Sequence, residues 1–212
     1  MDAELQRRIE GCAASHAALD EHVARLDDAS MRRASLLPGW TVGHVLTHVA
    51  RNADSYGYML EGAMVGEQRE QYPGGMERRD GDIESGAGRP AADIAADVHE
   101  SSNRLDAVFA AMTDGAWDFE VSTVIGPLPS TALPGNRWRE VEIHRVDLGL
   151  DYVAEQWPDG FVESELPKAV AGLPDRVADP GERSALLAWL VDRGAQPDLQ
   201  LDGWLARVMP TR

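Results

Sequence analysis

His44 and His48 stand four residues apart in one stretch of this 212-residue chain, and Glu140 and His144 stand four apart in another. Imidazole nitrogens and carboxylate oxygens bind zinc, and a set of two histidines and one glutamate keeps a coordination position open for water or substrate. In an α-helix four residues return to within about 40° of the same face, about 6 Å along the axis. Glu140 and His144 can therefore reach one point from consecutive turns, and a histidine on a facing helix can complete the set. Spacing does not choose between His44 and His48. Val141 and Leu148 put Glu140 and His144 beside an apolar stripe, where a carboxylate is costly unless it is paired or ligating.

Four amphipathic segments could carry these residues. Leu5, Ile9, Cys12, His16, Leu19, Val23 and Leu26 recur at helical spacing over roughly residues 3 to 28. Thr41 is a suitable N-cap for a second helix that begins at Val42 and runs into the sixties. Residues 66–90, rich in Gly and charge, read as a long loop with at most a short helical turn. A third helix is predicted over Ala91–Met112, a hairpin or extended loop over 117–132, and a fourth helix over Leu133–Tyr152. These four make a mainly α, antiparallel four-helix bundle the economical architecture. The composition shifts after residue 156, so residues 1–156 are expected to form the bundle and 157–212 a small C-terminal α/β subdomain. Two short helices, near Glu163–Leu173 and Gly181–Val191, and a short strand near Leu199–Leu201 are predicted there.

The formal net charge is −16, and Lys168 is the single lysine. Such a chain repels phosphate backbones, which argues against nucleic-acid binding. Cys12 is the one cysteine, so no intramolecular disulfide or thiolate metal cluster can form; a reducing, cytoplasmic setting is expected. The N-terminal stretch is charged and amphipathic rather than signal-like, and no run of 18 apolar residues suggests a membrane span. Trp40, Trp117 and Trp138 are expected to serve the core.

The segments Gly39-Trp-Thr-Val-Gly-His-Val-Leu-Thr-His-Val-Ala-Arg-Asn-Ala53 and Arg139-Glu-Val-Glu-Ile-His-Arg-Val-Asp-Leu-Gly149 resemble the two signature helices of the mycothiol-dependent maleylpyruvate isomerases. That family belongs to the DinB-like group of metal-binding four-helix bundles. Val98-His-Glu-Ser-Ser-Asn-Arg-Leu-Asp106 through Trp117 resembles its third helix and the turn after it. The likeness covers roughly residues 35 to 155 and is loose beyond 156. It implies His48, Glu140 and His144 as ligands of Zn2+ or another divalent metal, and leaves His44 beside the site. Glu142 falls on another face and matches no ligand position.

The resemblance also implies mycothiol, the small thiol of actinobacteria, as cofactor. Its thiolate would add to the cis double bond of maleylpyruvate, and rotation and elimination would give the trans isomer. Trp189-Leu-Val-Asp-Arg-Gly194 resembles the family segment that carries a functional arginine, making Arg193 the candidate for gripping an organic acid. Arg139 and Arg145 flank the metal motif as surface charge. Two other readings share these residues: a mycothiol S-transferase acting on another electrophile, and a non-catalytic module whose metal site is closed by a fourth protein ligand such as His44.

Overall fold

The computed structural model describes residues 2–199. Asp2 caps α1 (Ala3–Val23) by accepting from the Leu5 amide at 2.7 Å. A short helix, α2 (Asp28–Met31), precedes α3 (Val42–Met64), which starts at Thr41 as expected. After α4 (Gly75–Ala87) come α5 (Ala91–Ala111) and the single turn α6 (Asp114–Trp117). Strands β1 (Glu120–Thr123) and β2 (Gly126–Pro129) pair antiparallel, Glu120 opposite Pro129 and Thr123 opposite Gly126. Then follow α7 (Leu133–Asp147), α8 (Asp159–Arg176) and α9 (Pro180–Leu190).

The chain divides into two compact units, Met1–Phe161 and Val162–Arg212. In the first, α1 packs on α5 and α7, and α3 packs on the same two helices, which closes the expected four-helix bundle. The strand predicted near Leu199–Leu201 runs into residues outside the described range. Among the described residues, no helix is long and apolar enough to cross a membrane.

Two differences from the sequence reading bear on the site. Residues 75–87 form a helix rather than a loop, and that helix lies along α3. Its approach is close enough to require glycine: a methyl group at Gly43 would collide with the carbonyl oxygen of Ala87. In addition, α7 stops at Asp147, five residues before Tyr152, because Gly149 takes up a left-handed φ of 64°.

The bundle interior holds two apolar clusters. One gathers Leu5 and Cys12 with Tyr56, Met59, Leu105, Phe109 and Trp138; the other gathers Leu19, Val45, Val49, Ile94, Val141 and Leu148. Each of the four helices contributes to both. Between the two contributions lie polar residues: Ser15 and His16 on α1, Asn52 on α3, Ser101 and Ser102 on α5, and Glu140 on α7. A polar layer therefore crosses the bundle between two dry ones, which is where a buried polar site can be hydrogen-bonded instead of merely desolvated. Trp117 and Trp138 are buried as expected, while Trp40 is half-buried.

Candidate metal centre

His48 on α3 and Glu140 and His144 on α7 bring their donor atoms together. His48 Nε2 lies 3.1 Å from Glu140 Oε2 and 3.1 Å from His144 Nε2, and His144 Nε2 lies 3.4 Å from Glu140 Oε2. The two imidazole rings meet edge to face at an interplanar angle of 88°. Zinc bonds to nitrogen or oxygen of about 2.0 Å in a tetrahedron place neighbouring donors about 3.3 Å apart. The observed triangle has that size, so the residues present fit a divalent ion. His48 and His144 are buried, whereas 21% of the Glu140 side chain reaches solvent.

Electrostatics prepare the three groups differently. Burial alone would raise the Glu140 carboxyl, but the hydrogen bonds with His144 and His48 outweigh it and hold the group well below the usual carboxylate range. Burial likewise works against a proton on His144, yet its contacts with Asp147 and Glu140 lift its pKa to about 9. Burial, together with the neighbouring His144 and Arg79 charges, pushes His48 down to about 4 despite the opposing pull of Glu140. The Glu140 carboxylate and the His144 imidazole thus each favour the other's charged form.

Behind the triangle the supports differ. His144 Nδ1 lies 2.8 Å from Asp147 Oδ2, the carboxylate–imidazole contact that fixes which ring nitrogen faces a metal. On the other side, Arg79 Nη2 of α4 donates to His48 Nδ1 at 3.0 Å. The Trp40 ring packs edge-on against His48 at 5.8 Å between centroids.

His44 is elsewhere. It is the third residue of α3, and its Nδ1 accepts from the Thr41 amide at 3.2 Å while the Thr41 side chain caps the His44 amide in return. Its Nε2 faces Glu84 at 3.3 Å. His44 thus serves a capping box and is committed on both nitrogens. Glu142 is fully buried away from the triangle and accepts from Ser15 Oγ and, at 2.6 Å, from the Tyr152 hydroxyl. Arg145 lies over the Tyr152 ring at 3.8 Å, an attraction between the cation and the ring face.

A second cluster, Cys12, His16 and Asp106, also brings ligand-type atoms together. Its character is different. His16 Nδ1 lies 2.9 Å from Asp106 Oδ1, and His16 Nε2 already accepts from Arg137 Nε at 2.9 Å, so the nitrogen nearest Cys12 is occupied by a cation's donor. Burial pushes the Cys12 thiol well up and keeps it a thiol. Arg137 Nη1 goes on to the Val49 carbonyl at 2.8 Å and Asn52 Oδ1 at 2.9 Å. The buried guanidinium therefore ties α7, one turn before Glu140, to α3 next to His48, and to α1.

Arg193 belongs to the second unit, just beyond α9. It is exposed; its amide donates to the Ala188 carbonyl at 2.7 Å and its guanidinium to the Asp192 carbonyl at 3.0 Å. These are the contacts of a residue closing a helix end.

Sequence reasoning had not found Arg79, Asp147 or Arg137 as supports of the site. Asp147 had a signal, its i,i+3 spacing from His144 on the ligand face. Arg79 had none while residues 66–90 read as loop.

Comparison with known proteins bears on the whole bundle. The family described as the mycothiol maleylpyruvate isomerase N-terminal domain matches residues 12–149. A crystal structure of the mycothiol-dependent maleylpyruvate isomerase is similar with a TM-score of 0.71 and 28% sequence identity, over 77% of this chain and 70% of that chain. A crystal structure of a histidine-to-alanine mutant of the isomerase is similar at 27% identity, with the same TM-score and coverage. No curated protein matched the chain.

Proposed function

The chain belongs to the mycothiol maleylpyruvate isomerase family through its N-terminal domain, and from that premise we propose that it is a zinc- and mycothiol-dependent cis–trans isomerase of maleylpyruvate or a similar cis-enone acid. His48, Glu140 and His144 would hold the ion. When bound, a divalent ion there supplies Lewis acidity and the charge that keeps a small thiol deprotonated. Isomerisation would proceed by addition of the thiolate to the cis double bond, rotation about the resulting single bond, and elimination, so that atoms and charge balance over the cycle.

The observation that carries this reading is the pairing of a three-donor triangle with the absence of any usable thiol in the chain. Cys12 is the single cysteine; it is fully buried and its thiol is held protonated. A thiol for the proposed addition would therefore have to enter as a small molecule. The chain's own residues prepare for it. Two imidazoles and one carboxylate leave a net positive charge on a divalent ion, which favours an anionic sulfur. Burial of His48 and His144 keeps water from two of the three ligands, and Asp147 fixes the His144 ring. Arg193 is proposed to contribute a guanidinium for a substrate carboxylate from the C-terminal unit.

A closed structural site is disfavoured, because His44, the natural fourth ligand, is committed to Thr41 and Glu84. The test is direct. Zinc-loaded protein is mixed with mycothiol and maleylpyruvate, and loss of the substrate's enone absorbance is followed together with the product's mass. Isomerisation that needs both zinc and mycothiol is expected. An untouched substrate would overturn the proposal, and a stable thiol adduct of another electrophile would reassign the chain as an S-transferase.

A further inference from the structure

Arg51, Ser55 and Tyr58 follow His48 along α3 at spacings of three, four and three residues, which keeps them on one stripe of the helix. With Gln71 and Tyr72, which precede α4, and Asp82 of α4 they line a pocket of about 330 Å³, within the range that holds small ligands. Along the helix axis the pocket begins about 5 Å from His48, at Arg51, and extends to about 15 Å, at Tyr58. Arg79 belongs to both places, lining the pocket and contacting His48 at 3.0 Å. Burial raises the pKa of the Tyr56 hydroxyl, and Glu140 and the pocket's Tyr72 add to that rise, so ligand and pocket wall stand near one group.

The lining selects a kind of molecule. Its charges are already matched: Arg51 Nη2 lies 2.8 Å from Asp54 Oδ2, and Arg78 Nε lies 3.8 Å from Asp82 Oδ2. An entering acid meets Asp54 and Asp82, and an entering cation meets Arg51, Arg78 and Arg79. A neutral molecule with many hydroxyls suits both, because a hydroxyl donates to a carboxylate and accepts from a guanidinium or an amide. The Gln71 oxygen accepts from the Val124 amide at 3.0 Å, so its NH2 is the group that faces the task of donating to a ligand. Tyr58 and Tyr72 add flat apolar surface with a polar tip, suited to the C–H faces of sugar-like rings.

We propose that this pocket binds the polyhydroxylated ring portion of the thiol cofactor, with the thiol end directed toward the triangle. The inference rests on the reading of the chain as mycothiol-dependent. Mycothiol is a neutral pair of polyhydroxylated rings that carries an N-acetylcysteinyl group in amide linkage. Ordinary bond lengths put its sulfur about 5 Å from the ring that bears the amide, the interval between His48 and Arg51 along α3. Rings seated between Arg51 and Tyr58 therefore leave the sulfur level with His48. A peptide thiol with free carboxylates would carry them against Asp54 and Asp82.

The two halves of the cofactor test this separately. N-acetylglucosaminyl-inositol keeps the rings and the amide without the thiol, and N-acetylcysteine amide keeps the thiol without the rings. Binding of each, and of mycothiol, is measured by calorimetry and by amide shifts on the full chain, with and without zinc. The ring half should bind wild type in both conditions and shift Ser55, Tyr58 and Tyr72. Tyr58→Ala and Asp82→Ala alter side chains that reach solvent, so both should fold. Each should weaken the ring half and mycothiol about threefold to tenfold and leave the thiol half unchanged. Maleate, a small dicarboxylate, should not displace the ring half.

Wild type that binds mycothiol but not the ring half would overturn the proposal. So would mycothiol affinity unchanged in both variants, a thiol half weakened as much as mycothiol, or displacement of the ring half by maleate. Ring-half binding and the variant losses in a protein that leaves maleylpyruvate untouched would support the pocket and overturn the isomerase reading alone. No binding of mycothiol or of either half would overturn both.

Discussion

Metal binding at the triangle should compete with a proton, and the structure fixes how many. A ligating imidazole must present a bare nitrogen, yet the contacts with Asp147 and Glu140 hold His144 protonated up to a pKa of about 9. Glu140 sits well below the usual carboxylate range and His48 near 4, so neither gains or loses a proton above pH 6. One proton therefore leaves when the ion enters. At pH 7, about two units below that pKa, His144 is unprotonated in only about one site in a hundred, which weakens apparent affinity on the order of a hundredfold. Between pH 7 and 9 the apparent zinc affinity should rise by about one decade per pH unit and then level off. Chelator-competition titrations across pH 6.5–9.5 measure this slope. In Asp147→Asn, which removes the nearer support of the imidazolium, the rise should shift to lower pH. A flat profile would refute the reasoning, and so would a slope of two decades per unit, which would mean that His48 is also protonated.

Other expectations follow from the same contacts. The folded pKa of His144 lies above the unfolded value of about 6.5, so its stabilising contribution is fully present below pH 6.5 and lost as pH rises through 9. Metal-free protein should lose on the order of 3 kcal/mol over that window, read by denaturant melts, whereas zinc-loaded protein should not. Arg137→Met should cost about 3–5 kcal/mol in the same melts, because His16 Nε2, the Val49 carbonyl and Asn52 Oδ1 lose a buried charged donor; a loss under 1 kcal/mol would contradict its bridging role. Cys12→Ala should cost about 1 kcal/mol of stability and leave thiol-dependent turnover intact. Lost turnover in a folded Cys12→Ala protein would mean that the chain supplies its own nucleophile.

The four bundle helices are legible because apolar residues recur at helical spacing on both sides of the polar layer; Val45, Val49 and Tyr56 on α3 are buried as their spacing predicts. The α4 helix escaped for a specific reason. Its buried positions are Arg79, Ile83, Gly86 and Ala87, spaced for a helix but with only one large apolar residue among them. A count of hydrophobic residues passes over a stripe made of an arginine and small residues that allow close approach. The choice between His44 and His48 needed either family resemblance or capping geometry: Thr41 read as an N-cap, and His44 three residues later closes the capping box. His16 counted as one more member of the first helix's stripe. That it meets Asp106 and Arg137 depends on residues 90 and 121 positions away, and periodicity along a single helix carries no information about that.

Metal content decides the central claim. Wild type, His44→Ala, His48→Ala, Glu140→Ala and His144→Ala are each saturated with zinc at pH 8, freed of excess and assayed by elemental analysis. The account predicts about one zinc per chain in wild type and His44→Ala, and occupancy reduced at least tenfold in the other three. Full occupancy in His48→Ala or Glu140→Ala, with the fold intact, would contradict it.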